Sequence, residues 1–365
     1  MKRALNVVDA DSHVTEPMSE WKDLKDEHRP RIERDDLGFE HVFVGSELLV
    51  TGSLGNIATP GAKMSDFEHM RPLEEAEAGG FDPRLHLEAM DTEEIDAAVM
   101  FPTVGLNFWA VSDPDAAVSL ARAYNDWLSD YCATAPDRMF GAAMVPLQDP
   151  IGAAAELRRA HDELGFRVAF VRPNPVAGRS IADPAHEVVW EAAEALRVTI
   201  GVHEGSSNTI PTLATDRMIT PFILHAVSHS FEQMLSCAQL ICFGVMERHP
   251  DLHFVFLEAG GGWAPYWMER LDEQVWGFGA FQPDMKLKPS EYFMRQCWVP
   301  FEPDEKTLPA LARLIEDQAM WGSDYPHHDS TFPGAVKEVR DTIAPLPQRI
   351  QRKILGKNAR ACYRL

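Results

Sequence analysis

Cysteine is scarce and scattered in this 365-residue chain. Cys132, Cys237, Cys242, Cys297 and Cys362 are odd in number and nowhere spaced C-x-x-C. That pattern excludes a disulfide scaffold and a cysteine-built zinc site, and it fits reduced thiols in a core. Basic residues are also in deficit, 34 against 56 acidic ones, for a formal charge of −22. Such a field repels phosphate backbones and anionic lipid, which argues against nucleic-acid and membrane partners; an anionic substrate would need a local cation, a metal or an arginine. No apolar run reaches the roughly eighteen residues that span a bilayer. Met1–Asn6 leads into strand-like sequence without a signal-like apolar core, so the expected compartment is the cytoplasm. Short repeats, low-complexity tracts and long charge runs are missing as well. One folded domain over residues 1–365 is expected, with 45% hydrophobic residues to build its core.

What is present is an alternation. Eight short apolar runs, LNVVDAD (5–11), DAAVMFPT (96–103), MFGAAMVPL (139–147), RVAFVRPNP (167–175), RVTIGVHEG (197–205), HFVFLEAGG (253–261), QCWVPFEPD (296–304) and MWGSDYPH (320–327), are separated mostly by helix-period stretches. PIGAAAELRRAHDEL (150–164) and PAHEVVWEAAEAL (184–196) are two of those stretches. Near-continuous apolar strands alternating with helices predict a parallel sheet covered on both faces, and eight such units predict a (β/α)₈ barrel. Two segments exceed what the barrel needs. Residues from about 18 to 85, with one strand-like run at Glu40–Val44, follow the first strand, and Gly205 to about Gln233 follows the fifth. Both insertions follow strand carboxyl ends, where a barrel builds its site, so they are expected to be walls or lids.

The strand ends carry the chemistry. VDADSHVTEP (8–17) places three carboxylates and a histidine in ten residues, which fits either a metal site or a solvated acidic turn. Strand five ends in His203-Glu204, strand six in Glu258-Ala259-Gly260-Gly261-Gly262, and strand eight in Ser323-Asp324-Tyr325-Pro326. All are ligand types for a divalent ion, and a barrel gathers its strand ends on one face. In Asp11-x-His13 the two side chains share one side of the strand and can both face the barrel axis. Four ligand-bearing strand ends in one chain favour the metal reading.

The order of D-x-H at strand one, H at strand five and SDYP at strand eight, with the ending ILGKNARACYRL (354–365), resembles the amidohydrolase superfamily. The nearer resemblance is to its amidohydrolase-related branch, which holds aminocarboxymuconate-semialdehyde and gamma-resorcylate decarboxylases. It covers nearly the whole chain except the first insertion. The resemblance implies Asp11 and His13 as the first metal ligands, His203 as the third and Asp324 as the ligand from the last strand. This chain departs from the pattern in having Asp11 where the branch has histidine or glutamate, and Glu258 where it commonly has a catalytic histidine. Arg172 lies near where the wider superfamily's binuclear hydrolases carry a carbamylated lysine, which argues against a carbamate-bridged hydrolase.

The expected activity is metal-dependent decarboxylation of a small aromatic or unsaturated carboxylic acid, with one or two divalent ions (Zn, Mn or Fe). Hydrolysis of a C–N, ester or C–C bond, a binuclear iron or manganese oxygenase, and a non-catalytic barrel subunit are the alternatives. A homodimer or larger homo-oligomer is expected. The ion would polarise a substrate oxygen, Asp324 would act in catalysis as well as ligation, and His229 in HAVSHSFEQM is the expected proton donor. His225, one turn earlier, would share its helix face; for both histidines the alternative is capping or packing. Glu258 would ligate or bridge metal, or stay protonated as an acid; its alternative is a pair with Arg172. Arg172 is expected to clamp a substrate carboxylate in arginine's fork geometry, with a structural ion pair as its alternative. His327 and His328 would serve substrate or proton transfer, or stand as exposed loop residues. Trp109 and Trp263 would face an aromatic ligand or pack in the core. Glu16 would support the first-strand cluster or simply begin the next turn.

Overall fold

The computed structural model describes residues 6–18, 21, 24–205, 207, 209–213, 215–217, 220–282 and 284–365. Eleven strands occur among these described residues in chain order: β1 Val8–Val14, β2 Arg31–Arg34, β3 Glu40–Val44, β4 Glu47–Gly52, β5 Ala97–Pro102, β6 Met139–Met144, β7 Val168–Val171, β8 Thr199–His203, β9 Phe254–Leu257, β10 Cys297–Phe301 and β11 Ala319–Trp321. Eight of them form one parallel sheet in the order β1-β5-β6-β7-β8-β9-β10-β11. All eight expected runs supply a strand. Backbone bonds from Asp324 N to Asp11 O (2.9 Å) and from His13 N to Tyr325 O (2.7 Å) tie the last strand's exit back to β1 and close the barrel. Every residue of β5, β7, β8, β9 and β10 is buried, as expected for strands walled on one side by helices and filled on the other by the barrel core.

The helices begin where the sequence says they must. At Asp113-Pro114, Asp149-Pro150 and Thr220-Pro221 the first residue's side chain accepts an amide of the opening turn, and the proline occupies a position whose N–H would be unsatisfied anyway. Such a cap is worth about 1 kcal/mol. The last of these starts the 22-residue helix Pro221–Cys242, which carries the second insertion's histidines back over the barrel mouth.

The first insertion holds more strand than its sequence announced. Beside β3, expected at Glu40–Val44, the antiparallel sheet includes β2 and β4. The four residues of β2, RIER, are all exposed, so no apolar alternation marked them. Their pairing comes instead from the turn, where Asp35 accepts the amides of Leu37 and Phe39, both at 2.9 Å, and Gly38 takes a left-handed φ of 90°. This insertion lies against the loops that follow three barrel strands. Ser112 N donates to Glu47 (2.8 Å), Thr209 Oγ1 to the Leu49 carbonyl, and His328 N to the Ile57 carbonyl (2.8 Å).

Candidate active site

Period-two geometry puts Asp9, Asp11 and His13 on one side of β1, and the whole strand is buried. The register against β5 shifts between Asp9 and Ser12, and this separates the two aspartates by role. Asp9 accepts Ser323 N at 2.9 Å, the Ser323 hydroxyl, and Asp11 N at 3.2 Å. Burial pushes its carboxyl up to about 7 although Ser323 hydrogen bonds oppose the shift. Asp9 thus joins strand one to the strand-eight loop, a structural tie that motif reading did not assign.

Asp11 and His13 face the axis with His203 from β8 and Asp324 from the end of β11. His13 Nε2 lies 3.2 Å from His203 Nε2, 3.2 Å from Asp324 Oδ1 and 3.5 Å from Asp11 Oδ1, and His203 Nε2 lies 3.3 Å from Asp11 Oδ1. The tautomers follow from the other ring nitrogens. His13 Nδ1 donates to the Pro102 carbonyl (2.8 Å) and His203 Nδ1 to the Glu204 carbonyl (2.6 Å), so both Nε2 atoms present lone pairs to each other and to two carboxylates. Buried lone pairs converge in this way only around a cation or a shared proton. Burial works against a charge on His13, yet hydrogen bonds to and the charges of Asp11 and Asp324 outweigh it and hold His13 well above its ordinary range, so the position at its Nε2 favours a positive charge, either a proton or a metal cation in its place. Asp324 Oδ1 is buried without a partner in hydrogen-bonding geometry, although His327 Nδ1 is 2.8 Å away. Asp11, His13 and His203 offer ligand atoms within 4.8 Å of one another, as do His13, Asp324 and His327. The donor set of imidazoles and carboxylates therefore fits a divalent ion such as zinc or manganese.

Glu258 belongs to a neighbouring cluster. Its Oε1 is 3.4 Å from His229 Nε2 and 4.0 Å from His327 Nδ1, and its Oε2 is 3.5 Å from His203 Nδ1. Its backbone amide donates to Asp11 Oδ2 at 3.2 Å. Burial opposes ionisation of Glu258, but the adjacent His229 and then His203 and His327 hold its carboxyl well below the usual range. Burial likewise opposes a charge on His229, and Glu258 raises it to about 9. The two form a buried imidazolium–carboxylate pair at neutral pH, so Glu258 pairs with His229 and not with Arg172, and it is not a protonated acid. Among the described residues, none of the groups with ligand atoms within 4.8 Å of one another includes Glu258 or His229. Glu258 and Asp324 both adopt left-handed φ values, 52° and 55°. Non-glycine residues hold that conformation at a cost, which is concentrated at functional positions.

Arg172, expected as a substrate clamp, is committed elsewhere. It is fully buried; its Nη2 donates to Glu204 Oε1 (2.8 Å) and the Gly205 carbonyl (2.6 Å), Nη1 to the Leu106 carbonyl (3.0 Å), and Nε to Asn174 Oδ1 (2.9 Å). Those bonds hold three loops together beneath the site. Glu16 acts similarly: its carboxylate accepts the amides of Val104 (3.0 Å) and Gly105 (2.9 Å), and burial raises it to about 7 against those bonds. It anchors the loop that carries Trp109, whose buried ring packs against Phe170 at 5.1 Å between centroids. Trp263 packs against Phe256 and Phe293 at 5.8 and 6.3 Å. His327 stacks on His13 at 3.9 Å, and its Nε2 lies 3.0 Å from Thr103 Oγ1. His225 stacks on His229 at 4.4 Å, and burial, then the His229 charge, lowers it to about 4. Glu302 escaped the sequence reading. It follows β10, and burial, then Asp324, Asp11, Asp329 and Glu258, push its carboxyl well above the usual range. The signal was available, because FEPD also ends a barrel strand in an acid.

The Amidohydrolase family model matches residues 8–365. The chain belongs to the amidohydrolase family. A 2-amino-3-carboxymuconate-6-semialdehyde decarboxylase from Dictyostelium discoideum is 27% identical over 293 residues, covering 78% of this chain and 77% of that protein. The crystal structure of an amidohydrolase from Mycobacterium avium subsp. paratuberculosis K-10 superposes with a TM-score of 0.80 at 23% identity, covering 99% of this chain and 100% of that one. A dihydroxybenzoic acid decarboxylase from Polaromonas sp. JS666, with bound manganese and the inhibitor 2-nitroresorcinol, gives 0.64 at 23% identity, with 80% and 89% covered. These structures share the barrel fold of this chain, and its family and relatives mark it as an enzyme.

Proposed function

We propose that this amidohydrolase is a divalent-metal-dependent decarboxylase of a small aromatic or unsaturated carboxylic acid. The observation that carries it is the convergence of the His13 and His203 Nε2 lone pairs with the Asp11 and Asp324 carboxylates. Its support from relatives is a decarboxylase of an unsaturated acid matched over most of both chains and an aromatic-acid decarboxylase of the same fold with manganese. Asp11, His13, His203 and Asp324 would hold one ion. When bound, the ion supplies Lewis acidity toward the substrate carboxylate and a neighbouring oxygen, and a positive charge within a negatively charged protein.

The chain's own groups supply the rest. His229 holds a proton at Nε2 beside Glu258, and Glu258 keeps that imidazole charged. As the carbon–carboxylate bond breaks, carbon dioxide leaves, the electron pair remains on carbon, and the His229 proton forms the new C–H bond; solvent then restores the proton. His327, between Asp324 and Thr103, orients the Asp324 carboxylate. Trp109 and its loop, fixed by Glu16, wall the site against water. The same proposal extends to a cytoplasmic homo-oligomer, supported by five unpaired cysteines and by exposed Tyr266, Trp276, Phe278 and Phe281 along the helix Trp263–Phe278 and its end. Among the described residues no helix is long and apolar enough to cross a membrane.

Manganese-loaded protein offered dihydroxybenzoates and carboxylated enoic acids should release carbon dioxide with no oxygen uptake. Oxygen consumption coupled to product would replace the decarboxylase with an oxygenase. Amide or ester cleavage without carbon dioxide would make it a hydrolase, and a chain that retains no metal would be a non-catalytic barrel.

A further inference from the structure

A third group of ligand-type side chains lies outside the buried centre. His225 projects from the helix Pro221–Cys242, one turn closer to solvent than His229, while His328 and Asp329 belong to the loop after β11. Their ligand atoms fall within 4.8 Å of one another. His225 Nε2 is 3.8 Å from Asp329 Oδ2, and His328 Nε2 is 3.9 Å from Asp329 Oδ1. Two ligands bonded to one zinc at about 2.1 Å and a tetrahedral angle stand about 3.4 Å apart, and side-chain rotations would close separations of up to 4.8 Å toward that value.

The three residues also have the character of a built site. None of their side chains makes a hydrogen bond to a described residue, so they face one another and solvent. Yet two are held in place. The His225 ring stacks on His229 at 4.4 Å and its carbonyl accepts His229 Nδ1–H at 2.8 Å, while His328 is fixed through its backbone N to Ile57 O (2.8 Å) and through its carbonyl, which accepts Gly61 N (2.8 Å). Fixed imidazoles on separate elements, with a carboxylate between them, match the two-nitrogen, one-oxygen donor set of zinc and its neighbours.

We propose that His225, His328 and Asp329 form a separate divalent transition-metal site at the rim of the active-site mouth. The ion cross-links the helix Pro221–Cys242 to the loop after β11, which in turn holds the first insertion at Ile57 and Gly61. It therefore fastens three separate pieces of the rim, leaving the fourth coordination position to water. The site does not depend on the buried centre for its ligands.

The test uses zinc as the probe. Full-length protein, His225→Ala and Asp329→Asn would each be saturated with zinc, desalted and counted for bound metal by mass spectrometry, with circular dichroism confirming the fold. The native chain should retain one more zinc per chain than either variant, and excess zinc should raise its Tm by an increment absent from both variants. Equal metal counts in all three proteins, or retention of the extra ion by either variant, would overturn the proposal. A buried centre that binds nothing would lower every count alike and leave the difference between native and variant proteins unchanged.

Discussion

The two ends of the barrel treat their charged side chains in different ways. At the end where strands begin, several charged side chains are tied to backbone. Asp96 accepts the amides of Asn6 (2.8 Å) and Val7 (3.0 Å), Arg138 binds the Ile95 and Asp96 carbonyls and Asp91, and Arg364 reaches the Arg197 and Asp251 carbonyls. At the end where strands finish, Asp324 Oδ1, Glu258 Oε2 and Glu204 Oε2 are buried without hydrogen-bond partners. A buried carboxylate oxygen without a partner is costly to the fold. One end is arranged for stability and the other keeps unsatisfied charge for ligands, the division of labour that barrels allow.

Breaking the reactive end should give the largest effect. Asp324→Asn removes a charged ligand from the convergence at His13, so turnover should fall by more than about 100-fold while circular dichroism stays native; unchanged turnover would dismiss the centre. His229→Gln removes the proton donor and not a ligand. Its kcat should drop about 100-fold with metal content, measured by mass spectrometry, unaltered; a protein that lost its metal instead would reassign His229 as a ligand.

The pairing with Glu258 sets a pH limit. His229 is raised to about 9, so its proton is present below that pH and is lost as the pH rises through it; the rate profile should fall on the alkaline side near there. Glu258→Gln removes the main cause of the shift and should move that limb toward lower pH. A limb that stays in place would place the titration on another group.

Between the two ends lies Arg172, whose partner Glu204 is as buried as it is. Arg172→Met strands a buried carboxylate and should cost about 3–5 kcal/mol in denaturant unfolding; a normal stability with a raised KM would restore the clamp expected from the sequence. At the opposite end, Arg138→Ala should cost about 1–3 kcal/mol through two orphaned carbonyls, with kcat unchanged. Loss of activity there without loss of stability would dissolve the contrast between the ends.

Much of the barrel was legible because its signals are local. Each strand is a short apolar run, caps such as Asp149-Pro150 mark where several helices begin, and β-alternation within Asp11-x-His13 needs no partner to be recognised. The same locality explains the failures. β2 has no apolar pattern and exists through its turn and its pairing with β3. Asp9 and Asp11 have the same strand parity, and only the register shift against β5 sends one to Ser323 and the other to the axis. The Glu258–His229 pair and the Arg172–Glu204 pair join residues about thirty positions apart, with nothing in either segment to name the other.

The sequence by itself determined that eight strands would alternate with helices, that their ends would bring Asp11, His13, His203 and Asp324 to one face, and that the chain carries too little positive charge to bind an anion without a local cation. Each follows from spacing or composition. Only the tertiary structure decided the state of those groups. The Pro102 and Glu204 carbonyls fix which imidazole nitrogens keep their lone pairs, His229 settles the charge of Glu258, and Glu204 takes Arg172 away from any substrate. Protonation and pairing depend on distances of a few ångströms in a medium that screens little, and chain closure around the barrel is what sets those distances.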